Sequence, residues 1–167
     1  MINFGLLLIL YVVLSRILEL FISYRNTNKL LKLGAKEHFK FHYYFLVSFH
    51  LIVVVYFLIK SLEVDISLDE NLIIFVVLQV FRLKVHLDLG KYWTTRIIVL
   101  EKTPMINNGL YKHFKHPNYL IVIIEIFFLC LIFKDILALL FFSIINIFLI
   151  LLRIFYEEKA NKNRGRF

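Results

Sequence analysis

The chain has 167 residues, 60% of them hydrophobic, with eighteen Phe and nine Tyr against five Gly and two Pro. Its mean hydropathy of +0.78 exceeds anything a small soluble core could bury, since soluble domains carry roughly 45–50% apolar residues. A formal net charge of +8 without a basic stripe on a recognised binding fold argues against nucleic acid as partner, and the single Cys130 excludes an intrachain disulfide.

These bounds predict one integral membrane domain, 1–167, built as an all-α polytopic bundle of about five transmembrane helices. Phe4 to Ile22 is the first apolar run, broken only by Ser15, Arg16 and Glu19. No basic leader and no small-residue cleavage site mark it as a signal peptide, so it reads as a retained span. Phe41 to Ile59 is the second, carrying His42 and His50. Leu72 to Val85 is the third, short for a hydrocarbon core of roughly 30 Å. Tyr119 to Phe133 and Ile136 to Leu152 follow, parted only by Lys134 and Asp135, which implies an antiparallel helical hairpin. None of these runs alternates with the period of two that a membrane β-barrel requires.

The segments between the runs alternate in charge. Residues 23–40 hold Arg25, Lys29, Lys32, Lys36 and Lys40 against Glu37, while 60–71 hold Glu63, Asp65, Asp69 and Glu70 against Lys60. Residues 84–118 and the tail from Arg153 are again basic. Because Lys and Arg favour the cytoplasmic side, the expected topology in a bacterial cell membrane has the N-terminus outside and the C-terminus inside. The excess of basic residues then also serves attraction to anionic headgroups.

That topology gathers the polar residues on one side. The loop from His86 contains Lys91-Tyr92-Trp93-Thr94-Thr95-Arg96 and ends in Gly109-Leu110-Tyr111-Lys112-His113-Phe114-Lys115-His116-Pro117-Asn118-Tyr119. The tail opens with Arg153 and Glu157, four apart and therefore on one helix face. A helix-end ion pair for Arg153 and Glu157, and an interfacial aromatic belt for Tyr92 and Trp93, are the plain structural readings. Pro117 suits the first turn of the fourth helix, where the missing N–H would be unpaired anyway.

Gly109-Leu110-Tyr111, then Lys115-His116-Pro117-Asn118-Tyr119, then Arg153 and Glu157 after one hairpin resemble the isoprenylcysteine carboxyl methyltransferase family. Its pattern is Gly-x-Tyr, Arg-His-Pro-x-Tyr and a C-terminal Arg-x-x-x-Glu, and the resemblance covers roughly 89–158, within a catalytic part of about 86–158. It implies S-adenosylmethionine as cofactor and methyl transfer to an oxygen of a lipophilic acceptor that enters from the bilayer. By position it implies cofactor binding by Tyr111, His116, Pro117, Asn118, Tyr119 and Glu157, with Thr103, Pro104, Met105 and Ile106 lining the pocket from the loop. Arg153 would orient the acceptor.

The residue chemistry fits that implication. A sulfonium cation favours aromatic faces such as Tyr111, Tyr119 or Trp93, ammonium and ribose groups want an acceptor such as Glu157, and an anionic oxygen wants a guanidinium. Alignment carries most of an in-line methyl transfer, so neither a protein nucleophile nor a metal is called for. His116 reads as a pocket-lining residue rather than a general base.

Two positions depart from the pattern, Lys115 for Arg and Ile121 where a Gly is common. With the chain's shortness beside eukaryotic members, they point to a bacterial branch, some of whose members methylate hydroxyls of long-chain polyketide-type lipids. Two other functions compete. A membrane sterol-type reductase using NADPH carries a similar His-Pro-Asn-Tyr segment, but continues it with a Gly-Glu pair that is replaced here by Leu120 to Ile124. A non-enzymatic helper would leave the clustered polar residues without a use.

Ionisable residues within the spans complete the picture. Arg16 and Glu19 are spaced to pair across one helical turn. His50, Gln79 and Asn146 read as interhelical hydrogen-bond partners. Glu125, six residues past Tyr119, is either a paired structural acid or a catalytic group acting on the acceptor, since a lone carboxylate at that depth is expensive.

Overall fold

A computed structural model describes residues 3–101, 103, 104 and 106–162. Five helices carry the fold: α1 Phe4–Lys32, α2 Lys40–Glu63, α3 Glu70–Leu89, α4 Pro117–Ile132 and α5 Ile136–Asn161. Two short strands, β1 Lys36–His38 and β2 Ile97–Val99, pair antiparallel with Glu37 opposite Ile98. That ribbon was absent from the helical expectation, because three-residue strands leave no periodic pattern to read.

Polarity in this bundle is inverted relative to a soluble protein. Leu14, Phe21, Phe45, Ile73, Leu137 and Phe141 face outward, whereas Glu19, Asn26, Arg82, Glu125, Asn146 and Arg153 are buried. Only a lipid surround makes such an arrangement favourable, since a helix satisfies its own backbone while unpaired polar side chains must turn inward. By length and composition, α1, α2 and α5 can each cross a membrane and α4 is a shorter apolar helix. The third expected span, α3, reaches 20 residues, about 30 Å at 1.5 Å per residue. It also carries Glu70, Arg82, Lys84 and Asp88. The chain is an integral membrane protein of helical class.

Helix starts follow local capping chemistry. The Asn3 side chain accepts from Leu6 N at 2.8 Å, Asp69 from Asn71 N and Leu72 N, and Asp135 from Ala138 N at 2.9 Å. Each satisfies an amide that the first turn leaves unpaired. Pro117 opens α4 as expected. The hairpin between α4 and α5 turns at Lys134, whose φ of 52° is left-handed, and Asp135 N donates to Cys130 O at 3.1 Å.

Two helices run two turns or more past the expected spans. α1 continues ten residues beyond Ile22, and α5 nine beyond Leu152. The extension of α1 is polar because it binds loop backbone. Asn26 Nδ2 donates to Gly90 O and to Trp93 O at 2.9 Å, and Thr95 N donates to Ser23 Oγ at 2.9 Å. The apolar core, Ile9, Phe49, Phe57, Phe75, Phe133 and Phe142 among its members, fills the opposite end of the bundle. A smaller cluster of Val85, Trp93 and Ile121 lies under the loop.

Candidate active site

Helix α5 brings Arg153 and Glu157 to the level where α4 begins, and the side chain of Tyr119 reaches between them. Its hydroxyl donates to a Glu157 carboxylate oxygen and accepts from Arg153 Nε at 3.2 Å. The expected helix-end ion pair is therefore replaced by a bridge through a phenol. Arg153 is 5% exposed, so the bridge sits in a surround of low dielectric, where each hydrogen bond counts for more.

Neighbouring groups are held just as locally. The rings of His116 and Tyr119 stack at 5.4 Å. Lys115 Nζ lies 2.5 Å from Glu158 and His116 Nε2 3.4 Å from the same oxygen, so Glu158 neutralises this corner and leaves Glu157 to Tyr119. Gly109 adopts φ +54°, and a Cβ there would collide with the Asp88 carboxylate. That close approach lets Asp88 accept from Leu110 N at 2.9 Å and fastens the Tyr111 turn to the end of α3. Burial, then the nearby Glu157 and Asp88 carboxylates, pushes the Tyr111 phenol above its ordinary range, so it stays a neutral donor.

Most of the predicted site residues line one cavity of about 900 Å³. Ile106, Tyr111, His116, Asn118, Tyr119, Arg153 and Glu157 all face it, together with Trp93. Pro117 is buried in the helix start, and Thr103 and Pro104 stand outside the lining; Met105, like Lys102, lies outside the described residues. Within the lining, Asn118 Oδ1 is buried with no hydrogen-bond partner. A buried acceptor of that kind costs stability unless something donates to it.

Trp93 is 3% exposed and packs its ring 4.2 Å from that of His86, so it belongs to the interior of the site and not to an interfacial belt. Ile121, which departs from the motif's common Gly, is 6% exposed and buttresses Trp93 and Val85. The cavity extends past the loop into the groove between α1 and α2, where Ile17, Leu20 and Leu51 line it although each is largely exposed on the apolar outer surface.

Toward the middle of the bundle lies a four-charge cluster. Arg16 bonds Glu19 at 2.8 Å and Glu125 at 2.5 Å; Arg82 bonds both carboxylates in turn, reaching Glu125 at 2.5 Å and Glu19 through two nitrogens. Gln79 Nε2 donates to Glu125 at 3.1 Å. Glu125 is thus paired and stands off the main cavity, beside a small void that Arg16 and His50 also line. Gln79 and Asn146 do bond across helices, the latter to Val122 O at 3.3 Å, whereas His50 Nδ1 donates within its own helix, to Leu46 O at 2.8 Å. Arg82 was not singled out from the sequence. A guanidinium inside an apolar run was the available signal.

Comparison with known proteins agrees with this architecture. The isoprenylcysteine carboxyl methyltransferase (ICMT) family matches residues 71–162, more than half of the chain and all of the site except what α1 and α2 supply. The uncharacterized protein YpbQ of Bacillus subtilis (strain 168) is 31% identical over 161 residues, covering 92% of this chain and 94% of that protein. Helical membrane architecture, the motif spacing and these matches together place the chain in the isoprenylcysteine carboxyl methyltransferase family.

Proposed function

We propose that the protein is an S-adenosylmethionine-dependent O-methyltransferase acting on a carboxylate or acidic hydroxyl of a lipid-like acceptor, a long-chain polyketide-type lipid being one such acceptor. Family membership supports methyl transfer. The observation that carries the rest is a single cavity with a polar end and an end open to the apolar surface. Around the Tyr119 bridge it presents Asn118 Oδ1, Glu157 and Arg153, and between α1 and α2 it reaches Ile17 and Leu51.

The residues present fit the cofactor. Asn118 Oδ1 lacks a donor, which an ammonium or adenine amine supplies; Glu157 accepts a second; Trp93 and Tyr111 offer aromatic faces to a cation. A volume near 900 Å³ stands at the upper end of small-molecule sites, about 300–1,000 Å³, with room for cofactor and acceptor head together. When bound, S-adenosylmethionine supplies an electrophilic methyl group. Arg153 holds an anionic oxygen in register, Tyr119 fixes the guanidinium against Glu157, and the apolar walls exclude water, the contribution that alignment makes to such a step. The basic loops at this end of the bundle support a cytoplasmic location for the site.

The test is direct binding. Purified full-length protein should retain radiolabelled S-adenosylmethionine and compete it off with the unlabelled cofactor, with NADPH ineffective. Retention of NADPH without S-adenosylmethionine would overturn the proposal in favour of a reductase.

A further inference from the structure

The Arg16, Glu19, Arg82 and Glu125 cluster does more chemistry than a helix tie requires. Arg16, Glu19 and Arg82 line the deep end of the main cavity, next to Ile17 and Leu20, where the cavity meets the apolar surface. On the methyltransferase reading, they stand where the tail of a lipid-like acceptor would leave the cavity. Along α4, Glu125, which stands off the cavity, lies six residues from Tyr119, roughly 9 Å at 1.5 Å per residue, so Arg16, Glu19 and Arg82 give the cavity a second polar pole beside its apolar opening.

The poles differ in how their charges are paired, the outer one joining Arg153 to Glu157 through the Tyr119 hydroxyl. In the deep one, two guanidiniums face two carboxylates, and every carboxylate oxygen accepts from an arginine. Arg82 spends all three nitrogens on that pairing. Arg16 commits one N–H of each terminal nitrogen, out of the five that a guanidinium carries, and its side chain is 20% exposed, twice the fraction of Glu19. The cluster is already neutral, so a second anion placed against it at this depth would be left uncompensated. A neutral oxygen suffers no such penalty and accepts from the remaining N–H groups.

The geometry points to a second polar subsite, in which Arg16 donates to an uncharged carbonyl or hydroxyl oxygen on the acceptor, distant from the oxygen that is methylated. This rests on the methyltransferase reading for the identity of the ligand. The acceptor class is then an oxygenated lipid with two separated oxygen functions, and a plain fatty acid or singly hydroxylated chain is a poor ligand.

The experiment uses full-length protein in nanodiscs and measures binding of stearic acid and of oxostearic acids whose ketone is walked from carbon 3 to carbon 12. One stretch of positions should bind about tenfold more tightly than stearic acid, the ratio that 1.4 kcal/mol represents. That advantage should vanish in Arg16→Gln. Arg16→Lys, which keeps a charge for the two carboxylates but loses the forked donors, should reduce the advantage and remains informative if the Gln variant fails to fold. Radiolabelled S-adenosylmethionine should bind all folded variants equally. A flat ketone series in the wild type, or a peak untouched by either substitution, would overturn the subsite and leave the cluster as a structural tie. Loss of S-adenosylmethionine binding in the wild type would instead sink the methyltransferase reading itself.

Discussion

Tyr119 offers one hydroxyl to two partners of opposite charge, donating to Glu157 and accepting from Arg153. The arrangement ties the orientation of the guanidinium to that of the carboxylate, so changes at the three residues should be distinguishable. In Glu157→Gln the charge-assisted bond weakens, and we expect S-adenosylmethionine binding to fall about 10- to 150-fold, the equivalent of roughly 1.5–3 kcal/mol. Arg153→Ala should leave cofactor binding near the wild-type value and depress acceptor turnover. Tyr119→Phe should weaken both, because it frees both neighbours. Filter binding of labelled cofactor alongside methyl transfer to an extracted lipid fraction separates these cases; an identical pattern for all three would reduce the bridge to a helix-packing device. Asn118, whose buried oxygen is unpartnered, belongs to the same set of measurements.

Among the elements, the α4–α5 hairpin has its own electrostatic clasp at the end remote from the site. Asp135 caps α5, receives a hydrogen bond from Tyr56 at 2.6 Å and pairs with Lys60. Burial alone would raise its carboxyl, but the Ala138 amide, Lys60 and Tyr56 together bring it down from 3.8 to about 2. A carboxyl depressed on folding stabilises the folded state fully above its unfolded value and loses that contribution as pH falls through the folded one. The Tm advantage of the wild type over Asp135→Asn should therefore be complete at pH 5 to 7 and close between about pH 4 and 2, by differential scanning fluorimetry in detergent. A constant gap across that range would mean that the charge contributes nothing.

This hairpin was legible in sequence because two residues between long apolar runs permit nothing else. The extensions of α1 and α5 were not. Ser23 to Lys32 lacks an apolar stripe, since Ser23 and Asn26 spend their side chains on the backbone of a loop some 70 residues away. The motif residues from Tyr111 to Tyr119, with Arg153 and Glu157, announced themselves by spacing. Arg82 acts through partners that only the packing of α1, α3 and α4 reveals, and Asp88 through the Leu110 amide of a loop 22 residues on.

At the scale of the whole molecule, charge separates the two ends of the bundle. Helices α1, α3 and α5 terminate at the site end among Arg25, Lys29, Lys32, Lys84, Lys91, Lys159 and Lys162, and Lys36 in the ribbon and Arg96 just before β2 add to them. At the other end the α2–α3 connection carries Glu63, Asp65, Asp69 and Glu70. Positive residues resist translocation and fix orientation, and a negative inner leaflet attracts basic residues close to it by about 1 kcal/mol each. We expect the site end to face the cytoplasm, where the cofactor is made. The native Cys130 is fully buried, which makes cysteine labelling clean. Ser67→Cys, exposed in the α2–α3 connection, should react with a membrane-impermeant maleimide in intact cells. Lys112→Cys and Lys162→Cys, exposed at the site end, should react only after permeabilisation. The reverse pattern would put Tyr119, Arg153 and Glu157 in a compartment without S-adenosylmethionine, and the proposed reaction could not run there.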